Sequence, residues 1–312
     1  MRDTRVAWPP QTSSRLAFST SAGASYLGFA EDALAQDLAQ YKGKVSLILT
    51  SPPFPLNRKK RYGNLTGDEY RQWLATFAST FRDFLRPRGS IVMEIGNAWE
   101  PGQPSMSTLG LEALIDFRNA GRLSLCQQFV WYNPTKLPTP VQWVNIKRQR
   151  VKDSFTHIWW MAKVYNPVAD NRRVLVEYSA SMRNLLERQT YNSGLRPSQH
   201  NIGAKSFLRD NGGAIPSNVL TMSNSNGTDK YQAYCRQRGL KPHPARMPTA
   251  VPEFFIKFLT RPGDLVLDPF AGSNTTGAAA EALGRRWLAV EADEQYISGS
   301  RGRFAEPEAR RR

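Results

Sequence analysis

Two short segments bring together residue types that could do chemistry with one another. The first is Ser51-Pro52-Pro53-Phe54, which follows the apolar run Val45, Leu47, Ile48 and Leu49. Its Ser51 hydroxyl and Pro52 carbonyl offer two neighbouring hydrogen-bond acceptors, two prolines stiffen the turn, and Phe54 adds an aromatic face. The second is Asp268-Pro-Phe270-Ala-Gly272-Ser273-Asn-Thr275-Thr276-Gly277, which follows Leu265, Val266 and Leu267. Gly272 lets the backbone approach a ligand closely, and Asn274 to Gly277 open an Ala-rich helix whose first N–H groups suit an anionic group such as a carboxylate. Trp287 to Val290 then lead to Glu291, 19 residues beyond Gly272. That is the spacing at which α/β folds set a carboxylate on ribose hydroxyls. The loop lacks the glycine patterns of dinucleotide and phosphate loops, which disfavours nicotinamide and ATP.

Residues of this kind need rigid elements behind them. Both segments leave short buried runs, and the carboxyl ends of parallel strands are where open α/β sheets bind ligands. Between Asp68 and Leu85, Tyr70, Trp73, Leu74, Phe77, Phe81 and Phe84 recur at helical intervals, and Pro87 and Gly89 end the pattern before the strand Ser90 to Ile95. A helix over Leu109 to Ala120 closed by Gly121, strands over Leu123 to Trp131 and Phe155 to Val164, and helical spacing over Val251 to Leu259 complete the pattern. Alternating strands and helices predict an α/β fold, a doubly wound, mostly parallel sheet. From Tyr165 the periodicity fades into Asn, Ser, Gly and Arg, with 12 Lys or Arg against 5 Asp or Glu up to Arg246. The expected organisation is therefore 20–165 and 243–305 as two parts of one sheet domain, with a largely irregular basic insert over 166–242 that fits a target-recognition module laid on nucleic acid.

Charge narrows the partner. Of 312 residues, 42 are Lys or Arg and 26 are Asp or Glu, a formal net charge of +16, which favours a polyanion and makes that contact salt-dependent. Basic runs stand at Arg58-Lys59-Lys60-Arg61, just after the first motif, and at Lys147, Arg148, Arg150 and Lys152. Neither a membrane-length apolar stretch nor an apolar leader at Met1 to Arg15 is present, so a cytoplasmic location is expected. Cys126, Cys235 and the three histidines have no metal-ligand spacing, and no metal is expected.

Together the two loops resemble those of the exocyclic-amino DNA methyltransferases, and their order, catalytic loop first, resembles the permuted beta class of that family. Phe54 to Gly63, Trp131 to Pro138, Asn211 to Pro216 and Glu253 to Leu259 look like its N4-cytosine modification members, and the likeness spans most of residues 25 to 300. The resemblance implies a Rossmann-like methyltransferase sheet, S-adenosylmethionine as cofactor and double-stranded DNA as substrate. By the same likeness, Asp268 orients the methionyl end, Thr275 and Thr276 hold its carboxylate, and Phe270, Gly272, Ser273 and Glu291 complete the site. His243 to Pro248 resembles the segment that closes over the methionine, and Glu31-Asp32 falls where the family carries Gly-Asp, which brings Asp32 to the adenine.

Ser51 and Pro52 would accept the two N–H bonds of a target amine, with Pro53 fixing the turn and Phe54 stacking on an extruded base. Ser rather than Asp at position 51 favours N4-cytosine over N6-adenine, and neither cysteine has the context that C5 methylation needs. Arg58, Lys59, Lys60 and Arg61 would face DNA, and Trp131 to Pro134 would lie near the base. The implied role is the modification enzyme of a restriction-modification system, with an endonuclease acting on the same site, as a monomer or weak dimer. Two alternatives stay open: an adenine-N6 methyltransferase, and a DNA-binding protein without turnover.

Overall fold

A computed structural model describes residues 14–54, 67–223 and 229–304. In chain order the strands are β1 (Arg15–Ser19), β2 (Gly23–Leu27), β3 (Val45–Thr50), β4 (Leu85–Ile95), β5 (Ala98–Trp99), β6 (Met106–Ser107), β7 (Ser124–Tyr132), β8 (Phe155–Ala162), β9 (Gly194–Leu195), β10 (Asn201–Ile202), β11 (Val219–Thr221), β12 (Leu265–Asp268) and β13 (Arg286–Glu291). The α-helices are α1 (Ala30–Ala35), α2 (Gly67–Phe84), α3 (Leu109–Ala120), α4 (Ala180–Arg188), α5 (Lys230–Gln237), α6 (Ala250–Leu259), α7 (Thr275–Ala282) and α8 (Glu294–Ser300). None of the described helices is long and apolar enough to cross a membrane.

Nine strands form one sheet in the order β1-β2-β13-β12-β3-β4-β8-β7-β11. Its centre, β2, β13, β12, β3 and β4, is parallel throughout. The residues expected as a strand over 155–164 form β8, which runs antiparallel to both β4 and β7. A single turn, Gln142–Ile146, lies between β7 and β8, and a chain that returns without a crossover helix pairs antiparallel.

Strand β3 is buried at every position, as a strand covered on both faces must be. Ile48 joins the core layer of Leu34, Tyr70, Phe77, Phe81 and Phe117. Leu47 and Leu49 join the opposite layer of Phe255, Ile256, Leu259 and Trp287. Helix α2 supplies the first layer from the apolar stripe that the sequence carries, and α6 the second.

A separate compact unit spans Ala169–Ser217, with α4 capped by Ser179 and the β9–β10 ribbon. Residues 218–223 and 229–242 belong instead with the sheet, because β11 adds to the edge of β7 and α5 packs on α8. The compact unit thus covers only part of the span 166–242.

Candidate active site

Strands β3 and β12 are parallel neighbours, yet the chain leaves β3 toward β4 and leaves β12 toward β13, on the opposite side. A crevice opens at such a switch point, beyond the carboxyl ends of the strands. Both predicted loops leave from there. The Thr50 hydroxyl donates to Asp268 Oδ1 at 2.7 Å, a buried bond that joins the two strand ends directly. A cavity of about 810 Å3 occupies the crevice, within the range of small-molecule sites.

One part of the cavity wall comes from the β12–α7 loop. Asp268, Phe270, Gly272, Ser273, Thr275 and Thr276 all line it, as does Glu291 at the end of β13. Asp268 Oδ1 also accepts the Phe270 N–H at 3.2 Å, and burial raises the carboxyl to about 6 against the pull of its hydroxyl donors. Gly272 has φ +53, and a Cβ there would stand 3.2 Å from His243 Nε2, so a larger residue would meet both backbone strain and the imidazole. Glu291 accepts the Gly272 and Asp293 N–H groups at 2.7 and 2.8 Å, one on each oxygen, and burial raises it to about 7. Each oxygen keeps a second lone pair for a ligand hydroxyl. Asn274, in the left-handed region, caps α7 by accepting the Gly277 N–H. Close backbone approach, an acid at the end of β13 and a helix N-terminus suit a nucleoside that carries an amino acid, which is the shape and charge of S-adenosylmethionine.

Ser51, Pro52, Pro53 and Phe54 line the same cavity. Beside them stands Glu94, on β4 and 4 % exposed. Burial pushes its carboxyl up to about 7, against the pull of the neighbouring Ser51 hydroxyl and the Lys136 charge. An ionised Glu94 would take the Ser51 hydroxyl as its donor, which would leave the Ser51 lone pairs for an incoming N–H. The Phe54 ring lies over Gly96, where a Cβ would come within 2.6 Å of Cε2. Trp131 is 8 % exposed, lines the cavity and donates to the Met222 carbonyl, so it serves as core and as wall at once.

The DNA methylase family model matches residues 45–301. The chain belongs to the DNA methylase family. It is 44 % identical over 290 residues to the type II methyltransferase M.PvuII of Proteus hauseri, covering 92 % of this chain and 85 % of that one. Among solved structures it is similar to the PvuII DNA methyltransferase (cytosine-N4-specific), with TM-score 0.76, 37 % identity and coverage of 94 % and 90 %. M1.HpyAVI, solved as a complex with SAM, shares the fold with TM-score 0.54 and 20 % identity, covering 90 % of this chain and 98 % of that one.

In this DNA methylase one expected contact shifts. Asp32 sits in the first turn of α1, and it is Gly28, Phe29, Ala30 and Glu31 that line the cavity. Phe29 is the extended N-cap, so the chain runs along the wall up to Glu31 before the helix carries Asp32 round its axis. Glu31 accepts the Trp73 indole N–H at 2.8 Å, and Trp73 meets Phe270 at 5.6 Å between ring centroids. The sequence reading missed Phe29, Trp73, Glu94 and Gly96. Glu94 alone carried a signal, an acid inside the apolar run Ser90 to Ile95. Arg58, Lys59, Lys60 and Arg61 lie outside the described residues.

Proposed function

We propose that this DNA methylase moves the methyl group of S-adenosylmethionine to the exocyclic N4 amine of a cytosine extruded from double-stranded DNA. The observation that carries this reading is Ser51 beside the buried Glu94 in one cavity, at the end of a strand that the Thr50–Asp268 hydrogen bond ties to the cofactor loop. The printed specificity of the PvuII relative, cytosine N4, and the serine at position 51 both favour cytosine over adenine.

When bound, S-adenosylmethionine supplies a methyl group on a sulfonium, open to a nucleophile. The amine of cytosine is a poor nucleophile because its lone pair is delocalised into the ring. Ser51 Oγ accepts one N–H and the Pro52 carbonyl the other, which draws the nitrogen toward a tetrahedral form. As the N–C bond forms and the C–S bond breaks, the nitrogen becomes cationic. Its proton passes to Ser51, whose own proton passes to Glu94, so the amine ends neutral and Glu94 ends protonated. Phe54, seated over Gly96, stacks on the base. Asp268, Phe270, Gly272, Ser273, Thr275, Thr276 and Glu291 hold the cofactor. The unit Ala169–Ser217 reads the target sequence, and Arg58, Lys59, Lys60 and Arg61 hold phosphates. The enzyme works in the cytoplasm, as a monomer or weak dimer, beside an endonuclease that cuts the same site.

The test is to incubate the protein with labelled S-adenosylmethionine and bacterial DNA, digest to nucleosides and identify the labelled species by mass. N4-methylcytosine is expected. N6-methyladenine would overturn the choice of base, and no labelled nucleoside would overturn catalysis itself.

A further inference from the structure

The segment 134–152 joins β7 to β8 and is unusual in two respects. It carries five cations, Lys136, Lys147, Arg148, Arg150 and Lys152, and no acid. It also holds aliphatic side chains in the open: Leu137 is 77 % exposed and Val151 87 %, with Val141 and Ile146 also exposed. Isolated exposed aliphatics are ordinary, but four on one short neck beside the candidate cavity are not.

The neck is braced. Lys152 Nζ donates to the Pro134 and Lys136 carbonyls at 3.0 and 3.4 Å, and the Asp153 N–H donates to the Thr139 carbonyl at 3.0 Å. Lys136 pairs with Asp153 at 3.5 Å. Leu137 and Val151 fall between these ties on the two legs of the segment, and Pro134, Pro138 and Pro140 stiffen one leg. Asn133 and Lys136 at one foot and Ser154, Phe155 and Thr156 at the other line the cavity. The segment therefore rises from the rim of the pocket that would receive the base. Lys136 is matched by Asp153, whereas Lys152 and Arg150 bond neutral carbonyls and keep their charge. Arg150, for example, donates to the carbonyls of Pro104 and Gln149.

A partner that meets cations without acids, and that also desolvates aliphatic groups, has a polyanionic exterior and an apolar interior. A duplex opened at one base pair has both. We infer that segment 134–152 is the wedge that opens the duplex, with Leu137 and Val151 entering the stack vacated by the cytosine while Lys147 and Arg148 meet flanking phosphates. This rests on the reading that the target base is extruded.

The test compares wild type with the Leu137→Ala, Val151→Ala double variant on two duplexes that carry the methylated site. In one the target cytosine is paired; in the other it faces an abasic position, where extrusion is already made easy. The wedge predicts a ten- to hundredfold lower kcat/KM on the paired duplex and less than threefold loss on the abasic one. S-adenosylmethionine affinity should be unchanged, showing that the variant folds. Equal loss on both duplexes, or no loss on either, overturns the wedge. A wild type inactive on both duplexes would condemn the proposed reaction instead. A second measurement then needs neither turnover nor a known site: the salt dependence of duplex binding by the Lys147→Gln, Arg148→Gln variant. Its slope of log affinity against log salt should fall by about 1.8, two phosphates' worth. An unchanged slope means that the segment does not meet DNA.

Discussion

In the proposed reaction Glu94 would turn the Ser51 hydroxyl into a directed acceptor. Its carboxyl, raised to about 7 chiefly by burial, must be ionised to take the proton that leaves the amine. At saturating cofactor and DNA, kcat should therefore rise as pH increases through about 7 and level off above it. Glu94→Gln should flatten that rise and lower kcat roughly ten- to thousandfold, the range for loss of one transition-state group. Rapid-quench turnover across pH would check this, and an unchanged profile would remove Glu94 from the reaction. Gly96→Ala tests the base stack, since its Cβ would stand 2.6 Å from the Phe54 ring. DNA turnover should drop about tenfold with cofactor affinity intact. Ser51 and Phe54 were legible in the sequence because the turn is contiguous and its prolines announce it. Glu94 and Gly96 were not named because they reach those residues across a strand pair, a relation that no spacing along the chain records.

At the scale of elements, the cofactor loop is held from a part of the chain outside the match to the family. Arg303 donates to the Ser273 carbonyl at 2.6 Å and to its hydroxyl at 2.9 Å, while its guanidinium stands 4.8 Å from the centre of the Tyr231 ring and 3.7 Å from Asp229. Its side chain is 7 % exposed, so losing the guanidinium leaves both Ser273 acceptors without their donor and Asp229 with Arg246 alone as its cation. Arg303→Met should weaken S-adenosylmethionine binding at least tenfold by calorimetry. Arg303→Lys should recover only part of it, because an ammonium cannot span both Ser273 acceptors as the planar fork does. Equal affinity in all three proteins would make Arg303 a bystander. The long helices were legible because a stripe of aromatics at helical spacing has one reading. The direction of β8 was not, since a strand of given pattern pairs either way and only the connection decides.

For the molecule as a whole, the separate unit Ala169–Ser217 sets the expected division of labour. Exchange of those residues for the equivalent from a relative should move the methylated site while the product stays N4-methylcytosine. Sequencing of modified bases in DNA exposed to each protein would show it, and an unmoved site would place base reading elsewhere. The basic composition foretold a polyanionic partner. It did not foretell the boundary at 217, because β11 is only three residues long and carries no periodicity to read.

The strand order also fixes when the site comes into being. Strands β12 and β13 lie in the middle of the sheet, between β2 and β3, although they are made last. Until they arrive, β2 and β3 have no neighbour to join them, and Thr50 lacks a partner that lies 218 residues further along the chain. Contacts so distant in sequence close late in folding. A chain still on the ribosome thus carries Ser51 and Glu94 without a working crevice, and a proteolytic cut ahead of Leu265 would disable the base side and the cofactor side together.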